Sequence, residues 1–132
     1  MVIEFTENAV RAANHLLADV LGYSAYHTYQ ATRTIDIPSM LFARITYRWT
    51  DAHGLGVLKN GKYMHGSCAY TWWIPEPGII HKPFMGPFED SVAAMVLAFR
   101  HNEQEAIARV IFRNWTGVLT PTQRAQWQTM IT

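Results

Sequence analysis

The tetrapeptide Lys59-Asn60-Gly61-Lys62 constrains the fold of this chain more than any other feature. Asn-Gly accepts positive φ at both central positions of a two-residue turn, the geometry whose twist matches that of paired antiparallel strands. Strands of about 55–59 and 62–65 are therefore expected on either side of it. Upstream, residues 41–49 alternate Leu41, Ala43, Ile45, Tyr47, Trp49 against Phe42, Arg44, Thr46, Arg48, the period of a half-buried strand. Residues 51–54 supply turn chemistry between these segments. Downstream, Gly66 is placed for a bulge, 67–74 reads as an aromatic strand, and Pro75-Glu76-Pro77-Gly78 turns the chain so that 79–84 returns beside it.

Helical signals flank this β region. Near the N-terminus Thr6 is placed to cap, Phe5 and Val10 to staple, and Val10, Ala13, Leu17 and Val20 to form a stripe that ends at Gly22. The stretch 23–38 has aromatic and β-branched residues without a clean period. It reads as an extended connection with a short strand at 32–37, since Pro38 biases Ile37 towards extended backbone. After Gly86-Pro87, a cap at Asp90 or Ser91 should open a helix with Val92, Met95, Val96 and Phe99 on one face. The stripe weakens at His101-Asn102 and resumes through Ile107, Val110, Ile111 and Trp115, which predicts one irregular helix or two in succession, ending at Gly117. Thr120-Pro121-Thr122-Gln123 combines a capping box with proline at the first helical position, opening a last helix anchored by Trp127 and Met130. The expected fold is a single α+β domain over 1–132: an N-terminal helix, a central antiparallel meander of about four to five strands, and C-terminal helices packed on the sheet.

At 132 residues the chain can close one hydrophobic core without metal or disulfide staples. Its single cysteine, Cys68, cannot form an internal bridge, which fits a reducing compartment. No basic-then-apolar leader and no long apolar span is present, so a cytoplasmic protein, or a component of a virion assembled in a cytosol, is expected rather than a membrane one. Net charge is +1, so no whole-molecule field steers it to nucleic acid. Charged residues make up only 16% of the chain, against about 25% in ordinary domains. That shortage points to a surface partly covered by something else.

Four kinds of chemistry are open. His65, Cys68 and His81 are of types zinc accepts, but without a Cys-x-x-Cys pair the set is too sparse, and neither metal nor cofactor is expected. Cys68 with a histidine base would suit a small His/Cys-dependent enzyme, but a small apolar cysteine in an aromatic strand more often packs than reacts, and no catalytic residue is assigned. Nucleic-acid binding is the stronger alternative. Arg44 and Arg48 share a face of the expected strand, Lys59 and Lys62 flank the hairpin turn, and residues 37–75 carry four basic side chains against Asp51.

The leading expectation is a non-enzymatic protein that binds another protein or itself. Five Trp, six Tyr and six Phe are many rings for one small core, and aromatic anchors are what interfaces use. Tyr70, Trp72, Trp73 and His81 are the expected contact residues, because adjacent strand residues such as Trp72 and Trp73 point to opposite faces and both cannot enter one core. The tail from Trp115 through Gly117 and the Thr120-Pro121 cap to Trp127 resembles the tryptophan-flanked helix-turn-helix endings of phage and prophage proteins. That resemblance implies a phage-encoded virion assembly component or a stoichiometric inhibitor of a host or defence protein.

Overall fold

A computed structural model describes residues 5–64, 73–76, 79–83, 88–114 and 116–132. Thr6 opens α1 (Glu7–Leu21) by accepting the Ala9 N–H at 3.1 Å, and Ala13, Leu17 and Leu21 form its buried stripe. Gly22 ends it, and α2 (Tyr23–Thr32) begins at once. This second helix replaces the expected extended connection. Its sequence hides the helical period because Tyr29 is its only buried side chain, so there is no stripe to read. Tertiary contacts hold it instead: Tyr26 donates its hydroxyl to Asn14 Oδ1 at 2.9 Å, and the Tyr29 ring lies 6.0 Å from that of Trp49.

The sheet is a four-stranded antiparallel meander of β1 (Thr34–Pro38), β2 (Ile45–Thr50), β3 (Gly54–Lys59) and β4 (Lys62–Tyr63), in that order. Asn60 and Gly61 take φ of 53° and 79°, and Lys59 pairs with Lys62, as the two-residue turn requires. Two cross-strand rows, Ile35-Trp49-Leu55 and Ile37-Tyr47-Val57, face the core and are buried throughout. On the second face Asp36 and Arg48 are opposite each other and form a bidentate pair at 2.7 and 3.0 Å. The Tyr63 ring lies over Gly56, close enough that a Cβ at position 56 would meet it at 2.7 Å.

The expected strand over 41–49 starts only at Ile45. Residues 39–44 form a turn instead, closed by Arg44 at φ 66°, because the amide groups of Met40, Leu41 and Phe42 bond to side-chain oxygens rather than to a neighbouring strand. Further on, β5 (Trp73–Glu76) and β6 (Ile79–Pro83) pair as a separate antiparallel hairpin. Trp73 stands opposite Pro83 and Ile74 opposite Lys82. His81 lies in β6 at the register shift between these pairs and the pairing of Glu76 with Ile79.

Helix α3 (Phe88–His101) begins two residues before Asp90 and buries Val92, Ala93, Met95, Val96 and Phe99. It packs along α1, and its Phe99 ring stands 4.5 Å from that of Tyr47 on the sheet. The expected irregularity is present: Asn102 breaks the helix, α4 (Glu103–Ala106) restarts it, and residues Ile107–Ile111 continue as a π-helical turn. This segment stops at Ile111, ahead of Gly117, and Arg113 takes φ 53° just after it. The last helix, α5 (Pro121–Ile131), has both halves of its capping box in place, with Thr120 and Gln123 bonding reciprocally. No helix among the described residues is long and apolar enough to cross a membrane.

Burial pushes the Tyr29 phenol up to about 12, against the opposing pull of Arg33. Tyr47 is also pushed up, first by burial and then by its bond to a carboxylate. A phenol that holds its proton more tightly folded than unfolded contributes fully below its unfolded value of about 10, and that contribution is lost as pH rises through the folded value. Stability should therefore fall on the alkaline side. In a spectrophotometric titration at about pH 11, between the two values for Tyr29, Tyr29 and Tyr47 should remain protonated in the folded chain and ionise when urea unfolds it. Comparison with Tyr29→Phe and Tyr47→Phe assigns the signals, and identical ionisation folded and unfolded would contradict the burial argument.

Candidate functional site

Glu103, the first residue of α4, is a buried carboxylate, 5% exposed. Its Oε2 accepts the hydroxyls of Ser39 at 2.5 Å and Tyr47 at 2.6 Å, and its Oε1 accepts the Met40 and Leu41 amides at 2.8 and 3.2 Å. Each oxygen has two lone pairs, so four donors fill the acceptor capacity of the group. Ser39 Oγ in turn accepts the amides of Leu41 at 3.2 Å and Phe42 at 2.9 Å. The hydroxyl and the carboxylate are thus both spent on fixing one turn. They leave no free acceptor for proton transfer, and what they fix is the path of residues 39–44.

The side chains at the tip of that turn point away from the core. Met40 is 76% and Leu41 55% exposed, while the next residue, Phe42, turns inward and meets Trp127 edge-on at 5.7 Å. Across from them a second turn is braced by Asn114. Its Oδ1 accepts the Thr116 amide and hydroxyl at 3.1 and 2.7 Å, and its Nδ2 donates to the Val118 carbonyl. Gly117 has φ 75°, and a Cβ there would meet the Glu105 side chain at 2.8 Å. Backbone conformation and close approach to the Glu105–Arg109 pair both demand glycine at this position. The tip of this second turn is Val118, 62% exposed.

Between the two turns lies a groove of about 280 Å³. Phe42, Ile107, Leu119 and Trp127 supply its apolar lining, and Gln104, Arg124 and Gln128 its polar groups. The π-helical turn helps build it, since Ile107 is the first residue of that turn. Trp127 connects the groove to the core: its ring stacks with Tyr47 at 6.4 Å and meets Phe112 edge-on at 6.3 Å. Its Nε1–H is buried without a hydrogen-bond partner among the described residues.

The residues singled out from sequence are dispersed. Tyr70 and Trp72, with His65 and Cys68, lie outside the described residues; Trp73 and His81 belong to the β5–β6 hairpin. Among the described residues no group of three or more His, Cys, Asp and Glu is placed to hold a metal. Arg44 and Arg48 do not share a strand face, because Arg44 sits in the turn before β2, and Arg48 is paired with Asp36. Arg44, Lys59 and Lys62 do come together, since the Asn60 amide bonds the Arg44 carbonyl at 2.9 Å and Lys59 pairs with Lys62. Sequence reasoning missed the groove altogether. The one signal available was Met40, an apolar residue standing just ahead of the strand expected over 41–49.

Removing the carboxylate should be costly, because it leaves the Ser39 and Tyr47 hydroxyls and the Met40 amide without an acceptor and the Leu41 amide with Ser39 Oγ alone. Glu103→Ala is expected to destabilise the fold by about 3 kcal/mol or more, and Tyr47→Phe by about 1–3 kcal/mol. Urea midpoints measure both, and a Glu103→Ala loss below that of Tyr47→Phe would show that the turn does not depend on this group.

Compared with known protein-family models, with curated proteins and with solved structures, the chain finds no match in any of the three.

Proposed function

We propose that this chain is a protein-binding module whose contact surface is the groove between turns 39–44 and 116–119. The observation that carries the reading is the bracing of both turns. The first is held by part-buried bonds to Glu103 and the second by exposed bonds from Asn114, yet each presents apolar side chains, Met40 and Leu41 on one and Val118 on the other, to solvent. A turn that needed only to connect two elements would gain nothing from exposed Met and Leu at its tip. Rigidly presented apolar anchors beside a preformed groove are what lets an interface form without a large ordering cost.

The ring-based argument for binding shifts accordingly. Trp49, Tyr29, Tyr47, Phe99 and Trp127 are all buried and Tyr26, Phe42 and Phe112 pack against them, so most of the large rings among the described residues serve the core. Tyr23 and Tyr63, at 85% and 55% exposure, are the most exposed rings among those residues. Aliphatic groups rather than tryptophans thus support the binding reading. A stoichiometric role fits this surface, as an inhibitor or as an assembly component of the kind the phage-like tail implies.

Replacing Met40 and Val118 together by Ser should leave stability within about 0.5 kcal/mol, as exposed positions usually do. It should weaken capture of a partner from source-cell lysate by roughly tenfold or more, at about 1 kcal/mol or more per anchor. Tyr23→Ser, on a helix that contributes nothing to the groove, serves as control. Quantitative mass spectrometry of the captured proteins is the measurement, and a capture profile unchanged by the double variant would remove the groove from consideration.

A second reading rests on Arg44, Lys59 and Lys62, three cations gathered at one end of the sheet, none with an ion pair among the described residues. They would contact nucleic-acid phosphates. With three contacts, the logarithm of affinity should fall with the logarithm of salt at a slope of about −2 to −3. Fluorescence anisotropy with a single-stranded oligonucleotide tests this, and binding that is absent or insensitive to salt discards it.

A further inference from the structure

The groove has a chemical polarity that its shape alone does not show. From Ala106 to Thr132 the chain contains Arg109, Arg113 and Arg124 and not one Asp or Glu. The facing turn, 39–44, adds Arg44 and again no acid. Two carboxylates stand near the groove, and both are already engaged. Glu103 has its four donors, and Glu105 is held by Arg109 at 2.9 Å and by the Asn102 amide at 2.8 Å.

Arg124, in contrast, lines the groove and is exposed, and its guanidinium has no hydrogen bond or ion pair among the described residues. A guanidinium offers five donors in a planar fork matched to a carboxylate. The side-chain amides of Gln104 and Gln128, which flank the same space, are likewise unbonded among the described residues. Each has one acceptor and two donors, the complement of a peptide group. At about 280 Å³ the cavity falls below the range of about 300–1,000 Å³ typical of drug-sized ligands, and suits a side chain better than a whole cofactor.

Resting on the binding reading above, we propose that the groove takes one apolar side chain from an extended segment of another protein, and that a carboxylate next to that side chain pairs with Arg124. Phe42, Ile107, Leu119 and Trp127 receive the apolar group. Val118 closes over it from one lip, Met40 and Leu41 flank the adjoining depression that shares Gln104 with the groove, Gln104 and Gln128 bond the segment's backbone, and Arg124 selects for the acid. The complementary charge comes from the partner because the groove's own carboxylates are spent.

A second copy of this chain is the competing occupant, since α1 exposes Leu16 with Asp19 three residues on, an apolar group and a carboxylate on one helix face. Sedimentation of the full chain over a range of concentrations separates the two. A constant monomer mass supports a foreign segment. A mass that grows with concentration and returns to monomer in Asp19→Asn assigns the groove to a second copy and overturns the proposal.

The direct test is an array of synthetic octapeptides with a central Leu, Phe, Met or Trp, each made with Asp, Asn or Lys at the flanking positions, probed with the full chain. Asp peptides should be retained about tenfold or more over their Asn counterparts, the effect of a charge-assisted bidentate pair. Arg124→Gln should erase that preference, and Arg124→Glu should transfer it to the Lys peptides, with thermal midpoints confirming that both variants fold. Retention that the Met40→Ser, Val118→Ser double variant abolishes, but that is equal for Asp, Asn and Lys, overturns the charge assignment while leaving the groove a binding site. Retention indifferent to the double variant overturns both, and no retention of any peptide overturns the single-segment proposal.

Discussion

A carboxylate taken out of water is stable only when its lone pairs are answered, and Glu103 is answered by groups from two other parts of the chain. Tyr47 comes from the middle of the sheet, Ser39 and the Met40 and Leu41 amides from the turn that leads into it. The carboxylate therefore ties the start of the C-terminal helical segment to the sheet and to the turn at once. Without it the turn would have no reason to leave the extended path that its alternating residues favour. The groove would then lose one wall, because Phe42 enters the core only after the chain has bent at 39–41.

Trp127 provides the matching constraint on the other wall. Helix α5 carries little else to hold it: Trp127 is its only buried residue, and most of its remaining surface is polar. Stacking on Tyr47 and edge contacts with Phe42 and Phe112 fix the helix against the sheet, the turn and the end of the π-helical segment. Tyr47 thus serves two networks, bonding Glu103 through its hydroxyl and stacking on Trp127 through its ring. Such sharing makes the two walls of the groove interdependent, and it explains why a site built from separate turns can be held in one geometry.

The uneven legibility of the chain follows from where each structure-determining partner lies. The hairpin at Asn60-Gly61, the Thr120 capping box, the Thr6 cap and the α3 stripe were readable because each is settled by residues within a few positions of one another. Helix α2 was not, since its one buried residue, Tyr29, owes its place to Trp49 and to the Arg33 guanidinium over its ring at 4.5 Å. Arg48 looked like a free cation until the pairing of β1 with β2 set Asp36 opposite it. Alternation also misled at 41–44, where an apolar-polar pattern continued past the true start of the strand.

By itself the amino-acid sequence determined the α+β class, the order of helices and meander, the hairpin register and the capped last helix, because hydrogen bonds and hydrophobic periods of that kind close over short separations. Only the tertiary structure decided the groove, the freedom of Arg124 and the exposure of Met40, Leu41 and Val118. The donors to Glu103 lie 56 to 64 residues away along the chain. No local pattern can announce a contact at that distance, because the buried carboxylate becomes tolerable only once the folded core has brought its partners to it.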